Sequence, residues 1–139
     1  MIKNIVFAIG LGILGGEDLR TKNISMITVG IWAVIGIIIQ MLNGDLICTN
    51  RLVAMIPGVF LYFFAKISGE KVGFGDAWTI IVMGIYMDIG DVLIVGVYSI
   101  TISGIVALLL IAIWKKKRDY EIPFIPFLFA GYLMTRLMQ

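Results

Sequence analysis

Asp18 and Asp76 are the residues of this sequence best placed to do chemistry. Asp18 opens Asp18-Leu19-Arg20-Thr21-Lys22-Asn23-Ile24, a polar hinge that follows the apolar run 2–16. Asp76 closes Gly73-Phe74-Gly75-Asp76, where polar Ser68-Gly69-Glu70-Lys71 meets apolar Trp78-Thr79-Ile80-Ile81-Val82-Met83. A carboxylate at such an edge is costly unless it has water, a partner or a proton. Two carboxylates sharing a site cannot both ionise easily, so one keeps its proton. The ionised member then takes a proton from water while the protonated member polarises a carbonyl. The glycines flanking Phe74 lack Cβ atoms, which lets the backbone bend and an extended chain approach. Gly73, Phe74 and Gly75 are therefore candidate substrate-binding or site-shaping residues. The plain alternative makes Asp76 the N-cap of a helix starting at Ala77, and Asp18 a helix-end carboxylate balanced by Arg20 and Lys22.

Composition removes other chemistries. The chain has no histidine, so a Ser-His-Asp or Cys-His hydrolase is excluded within it, and a zinc peptidase almost always needs histidine ligands. Its single cysteine, Cys48, excludes an internal disulfide and a Cys-x-x-Cys zinc site. Ser68 with Lys66 or Lys71 would make a Ser-Lys pair, but nothing in the sequence depresses a lysine pKa there. Asp88-Ile89-Gly90-Asp91 reads as a solvated turn. Glu17 points to a different helix face from Asp18 and reads as an interface carboxylate. Magnesium chemistry needs more clustered carboxylates than Asp18, Asp76 and Glu70. No metal and no cofactor are expected.

The elements that must position these residues are membrane helices. Of 139 residues, 60% are hydrophobic and 14% charged; a soluble domain carries about a quarter charged. The expected fold is all-α: a polytopic membrane protein of about six transmembrane helices, with residues 1–139 as one domain. Apolar runs fall at 2–16, 26–42, 52–67, 77–87, 92–114 and 122–138. The first run lacks a small-x-small cleavage site, so no cleavable signal peptide is expected. A spanning helix needs about 20 residues. The first run approaches that length by taking in Glu17 and Asp18; the fourth can cross only by taking in Gly73 to Asp76 or by ending below the surface. Both aspartates are then at the interface.

Alternating the loops places Arg20, Lys22, Lys66, Lys71 and Lys115-Lys116-Lys117-Arg118 on one side. That basic side is cytoplasmic, and it carries both Asp18 and Asp76. The Lys115–Arg118 run reads as a topology anchor beside anionic headgroups. Trp32, Trp78 and Trp114 read as anchors or packing residues. Gly10, Gly12, Gly15 and Gly16 read as a close helix-packing face. Cys48 falls in an outer loop.

An aspartate leading Leu-Arg-Thr-x-x-Ile after the first span, followed by Gly-x-Gly-Asp opening the fourth, resembles the type IV prepilin peptidases. Ile122-Pro123-Phe124-Ile125-Pro126-Phe127-Leu128 is similar to that family's closing Ile-Pro-Phe-Gly-Pro-Phe-Leu. The chain departs from the family at Ile24-Ser25-Met26, Ala77-Trp78 and Ile125. The resemblance implies an aspartic endopeptidase with Asp18 and Asp76 as catalytic residues. It would remove the short basic leader of pilin-like precursors at the cytoplasmic face of a prokaryotic cell membrane. The implied form is the short one of tight-adherence (Flp-type) pilus systems, without the cytoplasmic domain of paired cysteines and without N-methyltransferase activity. The partners implied are the precursor and the lipid bilayer; no nucleic acid is expected. The alternatives are a noncatalytic membrane scaffold of a pilus or secretion assembly and a metal-dependent membrane phosphotransferase.

Overall fold

A computed structural model describes residues 2–44, 49–68, 73–114 and 122–138. These form six α-helices and no strand: α1 (Ile2–Thr21), α2 (Met26–Leu42), α3 (Thr49–Ile67), α4 (Phe74–Tyr86), α5 (Ile89–Trp114) and α6 (Ile125–Met138). The apolar runs become the helices, and polar or special residues end them. Ser25 is extended ahead of α2, and Gly44 takes a left-handed φ of +73° just beyond its end. Pro126 falls in the first turn of α6, where its missing N–H has no intrahelical partner to lose.

The two short runs lengthen as expected. α1 continues through Glu17 and Asp18 to Thr21, and α4 starts at Phe74 and takes in Asp76. At 13 residues α4 is still only about 20 Å long.

The bundle has two halves. α2, α3 and α4 pack together, most extensively α3 on α4; α1, α5 and α6 pack together, most extensively α5 on α6. Contacts across the seam are sparser. The α3–α4 contact is backbone-close because a Cβ at Gly58 would stand 2.5 Å from the Ile81 nitrogen, and one at Gly84 2.8 Å from the Ala54 oxygen. An aromatic cluster joins the halves. Phe7 of α1 has its ring 5.1 Å from Trp32, 5.3 Å from Tyr86 and 4.7 Å from Tyr132. Trp32 is thus a core residue, whereas Trp78 is exposed. Two buried side chains are tied to backbone: the Tyr86 hydroxyl donates to Trp32 O at 2.7 Å, and Gln40 Nε2 donates to Ile85 O at 2.6 Å. The glycine face of α1 is only partly a packing face: Gly10 lies against the Trp32 ring and Gly15 against Pro126, but Gly16 faces no neighbour within 4 Å.

The outside is apolar. Ile5, Ile9 and Ile13 on α1, Phe60, Phe63 and Phe64 on α3, and Val97, Ile100 and Leu108 on α5 are all exposed. Two helices, α3 and α5, are long and apolar enough to cross a membrane; α2, α4 and α6 are shorter apolar helices. In the apolar windows of α3 and α5 only 17% and 11% of residues are buried, unlike the core helix of a soluble protein.

Candidate active site

Asp18 is set by the C-terminal end of α1 and Asp76 by the first turn of α4. Both belong to the polar ends of their helices, beyond the apolar runs 2–16 and 77–87. The fold sets them within electrostatic reach of each other: the Asp18 charge opposes ionisation of Asp76.

The N-cap expectation for Asp76 is overturned. The N-cap is Gly73, in an extended conformation, and Asp76 is the third residue of α4. The Gly73 carbonyl accepts from the backbone N–H of Asp76 at 3.1 Å and of Ala77 at 3.4 Å. The helix starts three residues earlier than the apolar pattern implied, so the Asp76 side chain is not needed to start it.

Of the two glycines expected to leave an open, bendable stretch, Gly73 is exposed and Gly75 is covered. Gly73 has an ordinary φ of −63°, and a Cβ there would stand 2.9 Å from Asp76 Oδ2. Over Gly75 lies Ile24, whose side chain occupies the space a Cβ would need. Both glycines admit a close neighbour rather than an unusual backbone. Phe74 packs its ring 5.6 Å from Tyr62, which also lies 5.7 Å from Trp78, an aromatic brace between α3 and α4.

Asp18 is 5% exposed and accepts a hydrogen bond on Oδ2 from the Ile125 backbone N–H at 3.0 Å. Burial raises Asp18 above the ordinary carboxylate range; the Ile125 and Phe124 amides favour its charged form and pull it back. Asp76 is pushed up to about 7, by burial first and by the Asp18 charge second. The two acids are therefore unequal. Backbone donors favour Asp18 as the ionised member, and desolvation favours Asp76 as the protonated one.

The neighbouring acid is separate. Glu17 accepts from the Thr28 hydroxyl at 2.9 Å, which ties the end of α1 to the start of α2. Asp88 and Asp91 lie at the other end of the bundle, 3.6 Å from Arg51 and Arg136 respectively. Their turn is held by two other helices and is not simply solvated. The Ser68 hydroxyl is engaged by the Phe64 carbonyl. Among the described residues no three Asp, Glu, Cys or His side chains gather as a metal-binding group. Cys48, Glu70, Lys71 and the Lys115–Arg118 run lie outside the described residues, as does the Trp114 side chain.

Two contributors escaped the sequence reading: the Ile125 and Phe124 amides, and the seat of Ile24 on Gly75. Backbone donors leave no mark on residue type, but the two prolines around Phe124-Ile125 do mark a segment that stays out of the preceding helix.

No protein-family model, curated protein or solved structure matches the chain.

Proposed function

We propose that this chain is a membrane aspartic endopeptidase whose dyad is Asp18 and Asp76. It removes the basic leader of pilin-like precursors at the cytoplasmic face of a prokaryotic membrane. The observation that carries the reading is the convergence of two distant aspartates into one partly desolvated pair with opposite proton preferences. The three sequence motifs meet there: Asp18 and Ile24 from the first, Gly75 and Asp76 from the second, the Ile125 amide from the third. The six helices serve as six spans, and the exposed apolar surface supports this because lipid is the solvent that tolerates it.

In this reading Asp18 takes a proton from a water held between the carboxylates. The resulting hydroxide attacks the scissile carbonyl carbon, and Asp76 donates its proton to the carbonyl oxygen. When the carbon–nitrogen bond breaks, Asp18 passes its proton to the leaving amine and the carbonyl re-forms, returning the other proton to Asp76.

The test is co-expression with a precursor carrying a basic leader, a glycine and an apolar helix of about 20 residues. Cleavage after the glycine is expected, undiminished by a metal chelator and lost in Asp76→Asn at normal enzyme abundance. Cleavage that persists in Asp76→Asn sinks the dyad. A reporter fused after Lys117 is expected on the cytoplasmic side and one within residues 43–50 outside; the same side for both would overturn the six spans.

A further inference from the structure

The connection between α1 and α2, residues 22–25, does more than link two helices. It is braced to the end of α1. The Lys22 N–H donates to the Asp18 carbonyl at 3.0 Å. The Thr21 hydroxyl lies 2.9 Å from the Glu17 carbonyl and accepts from the Asn23 N–H at 3.3 Å. Lys22 holds a left-handed φ of 52°, which turns the chain sharply at this point. Ile24 is thereby carried at a fixed offset from Asp18.

Its side chain is set down on Gly75, the residue before Asp76. A Cβ at Gly75 would stand 2.7 Å from Ile24 Cβ and 3.0 Å from Cγ1, with Cδ1 closer still. The collision involves the branch point of a β-branched side chain, which cannot swing aside as a flexible tip would. Anything larger than glycine at 75 must push either the connection, and with it Asp18, or the first turn of α4, and with it Asp76.

We propose that Ile24 is a positioning residue: seated on Gly75, it sets how far the Asp76 carboxylate stands from that of Asp18. This rests on the reading of the two acids as a proteolytic dyad. Reacting groups tolerate little displacement, and a shift of about 1 Å costs on the order of 100-fold in rate.

The test exchanges bulk across the contact. Gly75→Ala is expected to lower precursor cleavage by about 10- to 100-fold at normal abundance. Ile24→Gly removes the three atoms nearest the new methyl. The double variant Gly75→Ala with Ile24→Gly is expected to recover at least fivefold over Gly75→Ala alone, which general loosening of the fold would not produce. A double variant no more active than Gly75→Ala, or a fully active Gly75→Ala, overturns the proposal.

A second measurement does not depend on activity. In a Cys48→Ser background, Ile24→Cys with Gly75→Cys is expected to form a disulfide when membranes are oxidised with copper phenanthroline, since the Cβ positions, 2.7 Å apart before any adjustment, need to part by only about 1 Å to reach disulfide geometry. The pair Ile27→Cys with Gly75→Cys, Ile27 being exposed, is expected to form none. No disulfide at 24/75 refutes the contact itself. A 24/75 disulfide in a protein whose unmodified form cleaves no precursor removes the proteolytic reading, and the positioning role with it.

Discussion

The two ends of the bundle handle aspartate in opposite ways. At one end Asp88 and Asp91 have side chains 62% and 26% exposed and stand 3.6 Å from Arg51 and Arg136. Ion pairs of this kind, open to water, do little but tie helices together. At the other end Asp18 is nearly covered, takes its hydrogen bond from a backbone amide, and stands beside a second acid whose proton it helps to retain. Residue type is the same and residue spacing tighter at the ion-paired end. What separates the two ends is the compensating partner: a guanidinium for Asp88 and Asp91, a backbone amide for Asp18.

That contrast breaks most sharply under mutation. Asp18→Asn and Asp76→Asn are each expected to lower cleavage by about 10²- to 10⁴-fold, the range for a lost acid or base. If the two act as the proposed dyad, the double variant is expected to be no worse than either single one. Asp88→Asn and Asp91→Asn are expected to stay within about twofold, as electrostatic ties of this kind are weak. The comparison needs only the fraction of precursor cut, scaled to enzyme abundance. Strong loss in Asp88→Asn together with an active Asp18→Asn would reverse the roles of the two ends.

Acidity sharpens it next. With Asp76 pushed up to about 7, the protonated form that donates to the carbonyl is lost as pH rises through that value. Cleavage in vesicles is expected to fall along that limb. On the acid side it falls again where Asp18, itself raised, takes up a proton. These limbs belong to the coupled pair rather than to either residue alone. A rate still climbing between pH 7 and 9 would refute the assignment of Asp76 as the proton donor.

The same shift has a consequence for stability. A carboxylate whose folded pKa is raised from 3.8 to about 7 binds its proton more tightly in the folded state. Stability is therefore lost as pH rises from about 4 towards 7 and stays low above that. Asp76→Asn escapes this penalty. It is expected to melt a few degrees higher than the parent at pH 8, on the order of 1 kcal/mol, with a smaller gain at pH 5. Asp88→Asn has the opposite sign and the smallest effect, a loss of about 1 kcal/mol or less in the same melting measurement.

Much of this arrangement was legible in the sequence. The six apolar runs correspond to six helices, and alternation of the loops alone puts Asp18 and Asp76 at one end. Three features were not legible, each for a physical reason. The N-cap of α4 is not marked because Gly73, Phe74 and Gly75 carry little hydrophobic periodicity, yet they complete the first turn through the Gly73 carbonyl. The role of Gly75 was misread because a missing Cβ signals close approach or flexibility equally well, and only the position of Ile24 separates them. The stabilisation of Asp18 by Ile125 was invisible because the donor is main chain, available at every residue but proline.

The division of the helices into two halves bears on how the dyad can change. Asp18 rides on the α1–α5–α6 half and Asp76 on the α2–α3–α4 half, so the seam passes between the two carboxylates. A rigid tilt of one half against the other would alter few contacts within either. It would nevertheless change the gap between the two carboxylates, and with it the strength with which the Asp18 charge opposes ionisation of Asp76.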